Sequence, residues 1–82
     1  MPTVLREGPY RFFFYSRDCS EPLHVHVETS DGSCKVWVAS LETVQAIGLS
    51  NKEINEIVDL VEKHRETIEI KWNEHCRGYS PN

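Results

Sequence analysis

Two histidines one residue apart, His24-Val25-His26, are the residues of this 82-residue chain whose type and spacing most directly permit chemistry. On a β-strand, positions i and i+2 project from one face about 7 Å apart, near enough to serve one metal ion or one phosphate. Two chemistries fit that spacing. In the first, one imidazole takes the proton of a ribose 2′-hydroxyl and the other protonates the leaving oxygen, a division suited to groups with a pKa of ~6.5. Arg11, Arg17 or Lys35 would stabilise the phosphate charge, and the protein would be a metal-independent endoribonuclease. In the second, both imidazoles ligate zinc or a similar ion. That site needs a third and usually a fourth ligand, and no nearby Cys-x-x-Cys or His-x3-His completes it. Cys19, Cys34, His64 or His75 would have to arrive through the fold or from a second subunit. The sequence therefore assigns no metal ligand set and no cofactor. The plain alternative leaves His24 and His26 as ordinary hydrogen-bonding residues of an edge or interface.

The elements that must position these residues are legible from hydrophobic period and turn chemistry. Glu7-Gly8-Pro9 separates Val4-Leu5-Arg6 from the aromatic run Tyr10 to Tyr15, which predicts a hairpin. A loop rich in Asp, Ser, Glu and Pro spans Arg17 to Leu23. His24-Val25-His26-Val27-Glu28 and Cys34-Lys35-Val36-Trp37-Val38 then alternate with period two across an Asp31-Gly32 turn, so they should pair antiparallel. The stretch 39–49 is ambiguous: Leu41, Val44 and Ile47 keep helical spacing, and it is assigned as a connection with one helical turn at most. Ser50 and Glu53 match a capping box. A long helix follows from about 50 to 76, with Ile54, Ile57, Val58, Val61, Ile68 and Trp72 on one face, and a frayed tail at 77–82. The expectation is one α+β domain over 1–82, in which a meander of three to four antiparallel strands at about 3–38 carries one long C-terminal helix on one face.

Alternation places Phe12, Phe14, Val25, Val27, Val36 and Val38 under that helix and Arg11, Phe13, Tyr15, His24, His26, Glu28, Lys35 and Trp37 on the opposite face. An open face of aromatics, imidazoles and cations suggests a binding surface, with Arg11, Phe13, Tyr15, Arg17, Lys35 and Trp37 as its contact residues. It also suits burial against a second copy, since a domain this small gains from a dimer interface. If the alternation holds, Val27→Asp should unfold the protein while His26→Asp should be nearly neutral.

The net charge of −4 argues against a general nucleic-acid or membrane-surface binder. Seven acidic and five basic residues lie between Ser50 and Gly78, so half of that negative charge belongs to the helix rather than the histidine face. Three cysteines at irregular spacings read as reduced thiols, not a disulfide framework. The first residues lack the apolar stretch of a signal peptide and no run is long enough to span a membrane, which makes the cytoplasm the expected compartment.

At Met1-Pro2-Thr3-Val4, Tyr10 to Ser16, Glu21-Pro22-Leu23-His24-Val25-His26-Val27 and Glu62-Lys63-His64-Arg65-Glu66, the chain resembles a family of small bacterial and archaeal proteins known as domain of unknown function 4160. The resemblance implies a protein often encoded beside another small protein, of domain of unknown function 2442, in an arrangement that has prompted proposals of toxin-antitoxin modules. It brings no agreed activity or catalytic residues. The chain departs from the family pattern at Leu23, where a second proline is usual, and after Trp37, where an Asp-Pro segment is usual. The leading expectation is an interaction module of a toxin-antitoxin-like pair, a homodimer acting on a protein partner encoded nearby or on RNA through the open sheet face. The endoribonuclease and metal-binding readings of His24 and His26 stand as alternatives.

Overall fold

The alternating segments build the sheet that their period demands. In the computed structural model, which describes residues 3–78, five strands run as an antiparallel meander in the order β1 (Thr3–Glu7), β2 (Tyr10–Phe13), β3 (His24–Glu28), β4 (Ser33–Trp37) and β5 (Glu42–Ile47). Helices α1 (Asn51–Lys63) and α2 (Arg65–His75) follow. Register pairs Val25 with Val36, Phe12 with Val27, His24 with Trp37 and His26 with Lys35. One face is therefore apolar: Phe12, Phe14, Val25, Val27, Val36 and Val38 are all buried in one cluster with Ile57, Val61 and Ile68 of the helices. Among the described residues no helix is long and apolar enough to cross a membrane. Residues 79–82 of the expected tail, and Met1-Pro2 of the family resemblance, lie outside the described residues.

The fold departs from expectation in three places, each for a physical reason. The sheet has five strands rather than three or four, because the ambiguous stretch supplies β5. Gln45 adopts a left-handed conformation (φ 55°) and the register with β4 shifts between Ser33 and Lys35. This bulge breaks the period of two and leaves Leu41, Val44 and Ile47 at a spacing that imitates a helix. The end of β5 is pressed against the preceding hairpin turn: a Cβ on Gly32 would collide with the Ile47 carbonyl oxygen, so only glycine fits there.

The single long helix is instead two. The capping box at Ser50 and Glu53 forms as expected, but the helix breaks at His64 (φ −103°, ψ 18°), whose side chain meets Glu7 at 2.9 Å. Beyond the break, α2 carries Ile68 and Trp72 to the end of the sheet where β2 stops and β3 begins, and Trp72 packs edge-on against Phe14 at 5.2 Å. The third correction concerns the cysteines. Cys19 and Cys76 are joined in a disulfide with their Cα atoms 5.6 Å apart, and Cys34 remains a buried thiol.

Candidate metal centre

The crossover from β2 to β3 decides the character of the second sheet face. β2 ends at Phe13, two residues earlier than the aromatic run suggests, because the Tyr15 amide leaves the ladder and donates to the Asp18 carboxylate at 2.7 Å. A single 3-10 turn, Asp18–Ser20, then folds Asp18 back over the histidines. It is closed by hydrogen bonds from the Asp18 amide to the Tyr15 carbonyl at 3.1 Å and from the Glu21 amide to the Asp18 carbonyl at 3.0 Å. The face expected to be open is covered by this loop: Phe13, His24 and Lys35 are buried, while Arg11, His26 and Trp37 are half-buried and Tyr15 and Arg17 are exposed.

Both imidazoles converge on one carboxylate. His24 Nε2 lies 3.0 Å from an Asp18 oxygen, and His26 Nε2 lies 3.2 Å from each of the two Asp18 oxygens. The three side chains place their donor atoms within 4.8 Å of one another. Bonds of ~2.1 Å to a tetrahedral ion would separate neighbouring ligand atoms by ~3.4 Å, close to the carboxylate-imidazole spacings observed. The ring of His24 has no exposed surface and is enclosed by Trp37 at 5.2 Å, Trp72 at 5.3 Å and His26 at 5.1 Å.

The protonation of His24 follows from its other nitrogen. Nδ1 sits 2.8 Å from the Pro22 carbonyl oxygen, which can only accept, so Nδ1 carries the proton. A neutral His24 therefore presents a bare lone pair at Nε2. That atom is fully buried, faces an Asp18 oxygen at 3.0 Å and makes no directed hydrogen bond, so close approach alone does not satisfy it. Two lone-pair donors at that distance repel unless a proton or a cation lies between them. A backbone carbonyl holding Nδ1–H while Nε2 points into a ligand cluster is also how metal-binding histidines are usually oriented.

The electrostatics suit ligation. Burial pushes the Asp18 carboxyl up, but the Tyr15 amide and the two histidines outweigh it and hold the pKa below the ordinary aspartate value. Burial lowers the pKa of His26, with Asp18 opposing, which favours the neutral imidazole that a metal requires.

The remaining candidates are placed elsewhere. Arg11 lies over the Phe13 ring at 4.6 Å and pairs with Glu28 at 2.6 Å; Lys35 lies over Trp37 at 4.1 Å and pairs with Glu21 at 2.6 Å. The expected stacking platform is thus capped by the protein's own cations. Phe13 stacks on His26 and Tyr15 meets it edge-on at 4.6 Å, so both line the cluster. None of the four suggested extra ligands joins. Cys19 is bridged, His64 is with Glu7, His75 hydrogen-bonds the Tyr15 carbonyl at 3.0 Å, and burial pushes the Cys34 thiol up to about 11. The third donor of the cluster is Asp18, which sequence reasoning missed. The loop offers two acidic residues before His24, Asp18 and Glu21, and no periodicity says which turns inward.

These features define a class: an α+β protein whose meander is covered on one face by two helices and on the other by a loop that closes a two-histidine, one-carboxylate cluster. The chain belongs to the family described as Domain of unknown function (DUF4160), whose model matches residues 10–73. The match spans Asp18, His24 and His26 and ends before Cys76. No curated protein matches the chain. No solved structure matches it either.

Proposed function

We propose that this chain is a divalent-metal-binding domain in which Asp18, His24 and His26 hold one ion of the zinc class. The observation that carries this reading is the buried His24 Nε2, which faces a carboxylate without a hydrogen bond while Nδ1 is committed to the Pro22 carbonyl. Three protein ligands leave a coordination position for water or a substrate atom. Solvent would reach a held ion from the His26 side, because the His26 and Asp18 side chains are 15% and 9% exposed and His24 is not exposed at all. Purified protein should retain or take up about one equivalent of zinc per chain, read by elemental analysis and calorimetric titration. Absence of binding in the folded wild-type chain would end the proposal.

The metal-free acid-base reading requires both imidazoles to reach RNA, and the full burial of His24 favours the ion instead. Incubation with mixed RNA tests the preference. Cleavage that survives chelator but disappears in both His24→Ala and His26→Ala would reverse it.

The partner reading, a cytoplasmic module of a toxin-antitoxin-like pair, rests on the family resemblance. It is supported by the exposed apolar side chains Tyr15, Ile47 and Ile70, of which Ile47 stands 72% exposed at the end of the edge strand β5. Self-association through that edge is the corresponding homodimer proposal, and sedimentation at micromolar concentration checks it. Mixing with the neighbouring gene's product and finding no complex by calorimetry would count against the pair.

A further inference from the structure

The disulfide lies directly against the proposed ion site. Cys19 follows Asp18 in the same 3-10 turn, and Cys76 caps α2, one helical turn beyond the Trp72 that packs on His24. The bridge joins positions 57 residues apart and is the covalent tie between the loop that carries one ligand and the helix that encloses another. Beside it, His75 Nε2 donates to the Tyr15 carbonyl at 3.0 Å and the His75 ring meets Phe14 at 5.4 Å. Both bridged cysteines are partly exposed, so a thiol can reach them. The third cysteine, Cys34, sits in the core on the far face of the sheet and cannot exchange with them.

We infer that the Cys19–Cys76 bridge is a reversible redox clamp that sets the affinity of the Asp18, His24 and His26 site for its ion. The inference rests on the ion-binding reading. With the bridge closed, Asp18 is held against both imidazoles before an ion arrives, and the cost of ordering the loop is already met. A thiolate of a cellular dithiol or of glutathione attacks one bridge sulfur and displaces the other as thiolate. A second reductant thiolate then resolves the mixed disulfide. Two electrons and two protons pass to Cys19 and Cys76, and the reductant leaves as its own disulfide. The loop then keeps its hydrogen bonds, the Glu21–Lys35 pair and its ring contacts but loses its covalent tie to α2, Asp18 gains freedom, and ion binding must supply more of the free energy that orders it. Reciprocity requires that a bound ion make the bridge harder to reduce by the same factor.

The test compares zinc affinity by calorimetric titration in oxidised wild type, reduced wild type held without oxygen, and the Cys19→Ser, Cys76→Ser double variant. The expected result is binding about tenfold tighter in the oxidised protein than in the other two. Equal affinity in all three overturns the clamp while leaving the ion site intact. Reduced protein that binds more tightly than the serine variant also overturns it, because the freed thiols would then be ligands. No binding in the oxidised form removes the ion site and the clamp with it. Should circular dichroism show the double variant unfolded, the wild-type chain decides alone. In a glutathione redox buffer with free zinc fixed by a metal buffer, zinc should raise the bridged fraction as a tenfold shift in the equilibrium constant, and no shift would refute the coupling.

Discussion

Beneath the helices the sheet presents Phe12, Phe14, Val25, Val27, Val36 and Val38; beneath the β2 to β3 crossover it presents Phe13, His24, His26, Lys35 and Trp37. One alternation sets both rows, and both are largely buried, yet they are buried by different means. The apolar face is covered by helices whose own stripe is periodic, and its energy is non-directional, so the gain depends on area and packing. The other face is covered by an irregular loop, and each buried or half-buried polar group there needs a particular partner: Asp18 for the histidines, Glu21 for Lys35 and Glu28 for Arg11. A covering that depends on area tolerates change of shape poorly but is indifferent to protons and ions. A covering built on pairing is sensitive to both.

The largest effect should come from placing a charge on the apolar face. Val27 is fully buried in the cluster with Ile57, Val61 and Ile68, whose members among the described residues are all uncharged. Val27→Asp is expected to cost more than about 4 kcal/mol and leave the chain unfolded by circular dichroism at 25 °C. A folded Val27→Asp protein would mean that the two faces are not distinct. The corresponding change on the other face looks harmless if alternation is all that is known, because His26 points away from the helices. With Asp18 at 3.2 Å, however, His26→Asp sets two carboxylates side by side under a loop, and the expectation of near-neutrality gives way to a loss of about 2 kcal/mol by urea titration.

Asp18→Asn separates an ion site from a structural ion pair. The amide keeps the shape of the carboxylate and can still accept from the Tyr15 amide while its NH2 donates to His24 Nε2. In the ion-free protein its stability should therefore change by less than about 1 kcal/mol, whereas zinc affinity should fall at least ~100-fold in calorimetric titration. If Asp18 instead neutralises a charged imidazolium, the same variant leaves a buried cation unpaired and loses about 3 kcal/mol. Stability measured with and without zinc distinguishes the two outcomes.

The extent to which the sequence disclosed these faces follows the same contrast. Val25 and Val27 declared their side through strict alternation, and the capping box at Ser50 declared the start of α1. β5 was hidden because the left-handed Gln45 inserts a step that a period-two reading cannot absorb. The break at His64 was hidden because the apolar spacing is kept on both sides of it: Val61, Ile68 and Trp72 continue a helical stripe straight through a kink. Asp18 and the Cys19–Cys76 bridge were illegible for a deeper reason. Both depend on how an aperiodic loop closes in space, and neither residue type nor spacing within that loop encodes which carboxylate or which sulfur arrives where.

The smallest effect expected lies at the rim of the apolar face, where one side chain has the character of both regions. Tyr10 is 4% exposed and belongs to the core cluster, but its hydroxyl donates to the Glu56 carboxylate of α1. That hydrogen bond, then burial and the negative charge of Glu56, push the phenol up from 10.0 to about 12. The neutral phenol is thus favoured in the folded chain. Its contribution to stability is fully present below pH 10 and is lost as the pH rises from 10 toward about 12. Tyr10→Phe keeps the ring, removes the donor and leaves Glu56 free to be solvated, since that residue is exposed. The variant should lose about 1 kcal/mol at pH 7 by urea titration. The gap between wild type and variant should then close between pH 10 and 12, because the wild-type phenolate has no proton left to give. A gap that stays constant across that range would show that the ring alone, and not its polar handle, ties α1 to the sheet, and the apolar face would then be indifferent to protons even at its edge.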